Sequence, residues 1–379
     1  MPFPGRGCQR ALRVPSALPM TSVVMRSALP PTHLCALRAI DAGRRIRDAV
    51  QSMPLMERGH RVDAVLKPGA ALTLQVDRAA EEVGLACLEQ LAGEIGHRLH
   101  LITDVMRGTV LVLGRATGRE VVFAHLDAVD GTIKVGGLGN DLAAGRVRLA
   151  NDGNWGVAAA FTAPTDRTLN TLRFGDFVAA AVVDGNPLRY RAHPEEVVAV
   201  PTADRLVAYD VSAAPAVAAA LRRAPRVFTS TITNLAQSIV YLDGFQAFDL
   251  DTRRRGDDVV AAELYRLLIN RHAGGAFDIS RQYGNLSALL HVLLGWRGAP
   301  PWMESQGAGF VVVNENLANL IPSIPIVAAA GGLSVDFDGR PMLERRLVED
   351  RCSVVHAANP AMLEALMGLI ATAKTRAPA

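Results

Sequence analysis

The 379-residue sequence predicts a layered protein of mixed helices and strands, α/β or α+β, in two parts. Three observations point there. Some segments repeat apolar residues at helical spacing, others are short unbroken apolar runs, and the two kinds interleave without strict strand–helix–strand order. At roughly 150 residues per domain the length suggests two domains or one large bilobal one. Half of the residues are apolar and 20% are charged, the balance of a globular chain with a sizeable core.

Residues 1 to 40 hold five arginines, several prolines and no acid. Residues 1–35 read as a flexible Arg-rich leader, with a targeting peptide as the alternative; Pro15, Pro19 and Arg26 interrupt any secretory apolar core. From His33 to Met53, Leu34, Leu37, Ile40, Ile46 and Val50 fall on one helical face with charges opposite. Asp77 to Leu91 repeats the pattern through Ala80, Val83, Leu88 and Leu91. Val110–Leu113 and Val121–Leu126 read as buried strands. Val157–Phe161 and Phe177–Val183 form a further pair, the second closing on the turn Asp184-Gly185-Asn186-Pro187. Residues 214–223 and 258–271 read as helices, and Phe310–Val313, Ile326–Ala330 and Val354–Ala357 as short strands. Pro360 opens a closing helix that runs to Ala373. A composition shift at Arg191 to Pro201 sets the expected lobes at 36–190 and 191–379.

Composition excludes several function classes. Forty Lys+Arg against thirty-seven Asp+Glu leave a net charge of +3, which gives no nucleic-acid footprint. No apolar run reaches the ~18–20 residues of a membrane span. Cys8, Cys35, Cys87 and Cys352 form no CxxC pair, as expected of a reduced cytoplasmic protein. The histidines show no HExxH spacing, and no G-x-S-x-G elbow supports Ser-His-Asp hydrolysis.

The chemistry is concentrated in Val121-Val122-Phe123-Ala124-His125-Leu126-Asp127-Ala128-Val129-Asp130-Gly131-Thr132. An apolar strand delivers two carboxylates three residues apart, then a glycine and a hydroxyl. Hard divalent cations want several oxygens, and a tight turn after the strand would bring Asp127, the Val129 carbonyl and Asp130 to one point. Gly131 permits the bend, and its N–H and that of Thr132 suit a phosphate oxygen. Spacing counts against three other motifs. An EF-hand needs oxygens where Leu126 and Ala128 stand, and an aspartic protease needs Asp-Thr/Ser-Gly rather than Asp130-Gly131-Thr132. A haloacid-dehalogenase-type enzyme needs its nucleophile at Ala128. An acidic turn capping a helix remains the alternative to a metal site.

Asp127-Ala128-Val129-Asp130-Gly131-Thr132 resembles the Asp-Pro-x-Asp-Gly-Thr hallmark of the inositol monophosphatase and fructose bisphosphatase superfamily, with Ala in place of Pro. Further segments follow in the family's order. Thr73 to Glu81 resembles its Thr-x-x-Asp-x-x-x-Glu entry to the first long helix, with Asp77 as the acid. Ala330-Gly331-Gly332 with the hairpin Asp336-Phe337-Asp338-Gly339-Arg340-Pro341 resembles its Glu-Ala-Gly-Gly segment. Val354 to Pro360 resembles its last strand and the turn into the final helix. The resemblance spans residues 36 to 373 and implies an α/β/α/β/α sandwich of two lobes.

It further implies a Mg²⁺-dependent phosphatase of a small phosphorylated polyol or sugar, cytoplasmic and homo-oligomeric, without nucleic-acid or membrane partners. By the same resemblance Asp77, Asp104, Asp127, Val129, Asp130 and Asn319 hold metal, and Asp104 and Thr132 orient the attacking water. Gly131, Thr132 and Arg281 contact substrate; the alternative for Arg281 is a helix cap near Leu286. Specificity is expected in loops 136–153 and 281–305.

Two departures stand out. Asp104 is the single acid where the family carries a Glu pair, and Asn319 stands where it carries the Asp of Trp-Asp; Glu315 and Asp278 are candidate replacements. These departures support the alternative of a non-catalytic ligand- or protein-binding member of the same fold.

Overall fold

The computed structural model describes residues 29–58, 75–103, 110–130, 155–185, 194–213, 221, 223–243, 257–270, 278–280, 289–296, 307–316, 320–347 and 351–377. Its first half is α1 (Pro31–Ser52), a one-turn α2 (Leu55–Arg58), α3 (Gln75–Ile95), β1 (Arg98–Thr103), β2 (Val110–Leu113), β3 (Val121–Asp130), β4 (Gly156–Thr162), β5 (Phe177–Asp184), β6 (Glu196–Pro201) and β7 (Leu206–Asp210). The seven strands form one sheet in the order β2-β1-β3-β4-β5-β6-β7. Only β1 and β3 run parallel; the other neighbours are antiparallel.

The second half holds β8 (Val227–Thr229), β9 (Ile239–Asp243), α4 (Asp257–Ile269), β10 (Asp278–Ser280), β11 (Leu294–Trp296), β12 (Gly307–Asn316), α5 (Ser323–Ala330), β13 (Leu333–Asp336), β14 (Arg351–Ala357) and α6 (Pro360–Arg376). Five strands pair in the order β10-β9-β12-β14-β13, and β8 and β11 make a separate ribbon.

Alternation along the strands sorts side chains into three cores. On β3 and β5, Val122, Ala124, Ala179 and Ala181 pack with Ile40, Ile46, Val76 and Leu88 of α1 and α3. The opposite face, with Phe123, Ala180 and Val182, packs against α5, Phe310 and Val354. Beyond β12 and β14, Val311 and Val355 pack with α4 and α6. The layers are therefore helices, sheet, central helix, sheet, helices: the expected α/β/α/β/α sandwich. Ile40, Ile46 and Val50 are fully buried on α1, each stabilising the fold by roughly 1.5–3 kcal/mol.

Several expectations are corrected. Ile326–Ala330, read as a strand, is part of α5. The segment is apolar on every side and buried in the central layer, so it carries no period to separate helix from strand. Its stop is local: Gly331 at φ +94° donates to Ala328 O, and Gly332 donates to Val327 O, a Schellman end. β2, expected to be buried, is the edge of its sheet, with Val112 50% exposed. α1 begins at Pro31, so residues 31–35, expected in the leader, are helical and Cys35 is fully buried. The charges of α1 do not all face solvent either. Arg44 and Arg47 reach the sheet, where Arg44 Nη2 lies 2.5 Å and Arg47 Nη2 3.2 Å from the buried carboxylate of Glu196.

The lobe boundary expected at Arg191–Pro201 takes in the whole of β6, which pairs with β5 in the first sheet. By sheet membership, the change to the second sheet comes after β7. At the closing helix, Asn359 Oδ1 accepts the Met362 N–H and Pro360 takes the first turn. Expected helix 214–223 lies almost wholly outside the described residues.

Candidate active site

Asp127, Val129 and Asp130 sit at the C-terminal end of β3, inside the strand rather than on a turn after it. The reason is a β-bulge. Asp127 pairs with Ala158 and Asp130 with Gly156, so Ala128 and Val129 together stand opposite Val157. In an unbroken strand, residues three apart point to opposite faces. Here Ala128 and Val129 both pack toward α1 and α3, and Asp127 and Asp130 both take the other face. Their cross-strand partners fit: Ala158 belongs to the inner core, and Gly156 is two residues away on the same side. Both aspartates are 8% exposed.

Asp77 lies in the first turn of α3 and is half-buried. A Cβ at Gly84 would meet Leu126, and one at Gly114, just past the β2 residue paired with Leu99, would meet Ala92. α3 thus runs antiparallel to β3, and Asp77, about two turns before Gly84, lies toward the end that carries Asp127 and Asp130. Thr103, the residue before Asp104, pairs with Leu126, the residue before Asp127. Asp104, Gly131, Thr132, Arg281 and Asn319 themselves lie outside the described residues. Of the two candidate replacements, Glu315 is half-buried near the end of β12, and Asp278 opens the edge strand β10, paired with Ile239. Asp336 has a structural part: its Oδ1 accepts the Asp338 and Arg340 N–H groups at 2.9 Å, holding the hairpin turn.

Two residues near the aspartates carry no role in the sequence reading. His125, one pleat before Asp127 on the same face, is fully buried, and neither ring nitrogen has a hydrogen-bond partner among the described residues. Burial pushes its imidazole down to about 3. Asp184 is fully buried and pairs with Gly156, so it shares a face and a level with Asp130 two strands away. The sequence signal was present in both: a polar residue in phase with the apolar face of a strand. Read alone, Asp184-Gly185 looks like turn chemistry.

Among the described residues, no group of three or more His, Cys, Asp or Glu side chains gathers closely enough to hold a metal ion. What is described of the donor set suits a hard cation. Two buried carboxylates held on one face repel each other, and a divalent cation between them relieves that repulsion while taking oxygen ligands. Also among the described residues, no helix is long and apolar enough to cross a membrane.

No family model matches the chain, and no curated protein matches it in sequence. Solved structures do match in fold. The IMPase of Thermotoga maritima is 13% identical, with 89% of this chain and 97% of that one covered at a TM-score of 0.54. The fructose-1,6-bisphosphatase of Leishmania major is 13% identical, covering 90% and 94% at 0.58. The extragenic suppressor protein SuhB of Bartonella henselae is 13% identical, covering 89% and 98% at 0.51.

Proposed function

The chain has the fold of the inositol monophosphatase and fructose bisphosphatase superfamily, and on that premise we propose that it is a Mg²⁺-dependent phosphatase of a small phosphorylated polyol or sugar. The observation that carries the reading is the bulge at Ala128 and Val129, which turns Asp127 and Asp130 to one face at a strand end. A structural acid pair needs no such device, whereas oxygen ligands for one cation must converge.

In this reading Asp127, Asp130 and the Val129 carbonyl would hold Mg²⁺, with Asp77, Asp104 and Asn319 completing the ligands. When bound, Mg²⁺ supplies positive charge to the phosphate and lowers the pKa of a coordinated water. The N–H groups of Gly131 and Thr132 receive phosphate oxygens, and Arg281 pairs with the substrate. Asp104 and Thr132 would orient a water for in-line attack on phosphorus, and Asp104 would accept its proton. No side chain becomes phosphorylated. The enzyme acts in the cytoplasm as a homo-oligomer.

A non-catalytic member of the fold is the second reading, favoured by Asn319 and by the single acid Asp104. Phosphate release from a panel of sugar and inositol phosphates, with and without Mg²⁺, separates the two. Metal-dependent release that disappears in Asp130→Asn supports the phosphatase. Binding of a phosphorylated ligand without turnover on any substrate supports the second reading.

A further inference from the structure

A cleft of about 700 Å³ opens far from the aspartates, between the start of β7, β8, the C-terminal end of α5 and the first turn of α6. β7 edges its sheet four positions from β3; at ~4.8 Å per strand this is roughly 19 Å across the sheet. The residues at the mouth also open β7, and Val207 pairs with Val200, so the cleft lies at the opposite end of the strands from Asp130 and Asp184.

Two features shape it. Ala328, Ala329, Ala330 and Gly331 form one wall, and side chains this short leave the space unfilled. The facing wall is pinned: Thr229 Oγ1 donates to Ala358 O at 2.6 Å, and Asn359 Nδ2 donates to the carbonyls of Ser230 and Ile232 at 3.2 and 2.8 Å. A cavity of this volume with a preformed, mostly apolar lining has the dimensions of a small-molecule site.

The charge on the lining is of one sign. Arg205 and Arg226 border the cleft, and among the described residues no Asp, Glu or His does. Both guanidiniums are exposed, and neither has an ion-pair or hydrogen-bond partner among the described residues, so both are open to an anion in the cleft. The first turn of α6 adds to the same sign. Pro360 has no N–H and Asn359 takes that of Met362, which leaves the Ala361 N–H, also on the cleft, as the donor the cap does not use.

We propose that this cleft is a second ligand site, separate from the aspartates, for a small organic anion with a phosphate or carboxylate head on an apolar body. The head pairs with Arg205 and Arg226, which bind such groups through charge-assisted, forked hydrogen bonds. The body lies against the alanine wall, where burial of its carbon surface contributes affinity.

The test is calorimetric titration of the full chain, with EDTA present so that binding at the aspartates is suppressed. The probes are phenyl phosphate, benzoate, inorganic phosphate and benzyl alcohol. One or both aromatic anions should saturate a single site, and their comparison decides between phosphate and carboxylate. Inorganic phosphate, lacking the body, and benzyl alcohol, lacking the charge, should each bind at least tenfold more weakly. The exposed double substitution Arg205→Gln with Arg226→Gln should weaken the preferred anion at least tenfold at unchanged circular dichroism. Asp130→Asn should leave that affinity within about twofold. No saturation by either aromatic anion up to about 10 mM overturns the proposal. So does equal binding of benzyl alcohol, or a loss that follows Asp130→Asn and spares the arginine variant. Because the readout is binding without metal, its failure is separate from failure of the phosphatase reading.

Discussion

Asp127 and Asp130 face the same side of the seven-stranded sheet because Ala128 and Val129 share the place opposite Val157. The relationship makes the pair more sensitive to charge than to the loss of one residue between them. Asp130→Asn removes one formal charge with almost no change of volume, and should lower Mg²⁺-dependent turnover about 100-fold or more while the melting temperature stays put. Deleting Ala128 removes the bulge but leaves Asp127 and Asp130 two residues apart in a regular strand, so both carboxylates stay on the one face and Val129 alone packs toward the outer helices. It should therefore lower turnover far less than the charge change does. A deletion variant as inactive as Asp130→Asn would show that the shared face alone does not carry the mechanism.

The two departures from the family pattern give a paired measurement. On the proposed mechanism, Asp104→Ala should lower kcat by orders of magnitude, since it would take away a metal ligand and the water-orienting acid together. On the proposed ligand set, Asn319→Asp should tighten Mg²⁺ binding, because a formal charge would be added beside a divalent cation. Kinetics over a Mg²⁺ titration reads both; no change at either position, in a protein that still binds a phosphorylated ligand, counts for the non-catalytic reading.

Glu196 is 4% exposed and faces two guanidiniums of α1, with Arg44 Nε also 2.9 Å from Oε2. Glu196→Ala strands two half-buried cations against the sheet and should cost about 3–5 kcal/mol of unfolding free energy. Denaturant titration measures it. A cost below about 1 kcal/mol would show that solvent screens the cluster as it does surface pairs.

Gly43 lies where α1 crosses β5: an added Cβ would stand 2.6 Å from Val183 Cγ2 and 3.0 Å from its Cβ. Ala is the better helix former by about 1 kcal/mol, but Val183 is branched at Cβ and fully packed, so it cannot turn aside. Overpacking costs about 1–3 kcal/mol, and Gly43→Ala should lower the melting temperature. A rise would mean that propensity outweighs contact and that α1 can lift from the sheet.

His356 is buried beside Phe310, their ring centroids 5.3 Å apart, with the Ser323 and Ser334 hydroxyls 3.4 and 2.8 Å from Nε2 and Nδ1. Burial pushes its imidazole down to about 3, against about 6.5 in the unfolded chain. Between those values the unfolded state binds the extra proton. The stabilisation is therefore fully present above pH 6.5 and is lost as pH falls toward 3, by about 1.4 kcal/mol per unit. His356→Gln should flatten the acid limb of the stability profile by one proton's slope; an unchanged slope would show the ring is already charged or solvated in the native protein.

Much of this architecture is legible in the residues alone. The periods of α1 and α3, the apolar runs of β3, β4 and β5, and the Asn359-Pro360 start of α6 are local signals, and each element stands where its signal does. The order of the acidic, Gly-Gly and closing-helix motifs was enough to point to the sandwich, and the spacing of Asp127 and Asp130 was enough to mark them. What only the tertiary structure decided depends on partners distant in the chain. Strand pairing with β4 sets the bulge and hence the face of Asp130. Glu196, 152 residues after Arg44, draws α1 charges into the sheet. Ile326–Ala330 is part of helix α5, packed in the central layer between the sheets, although its composition reads as a strand. A local pattern determines how a segment hydrogen-bonds with itself, but its register and burial are set by whichever surface packs against it.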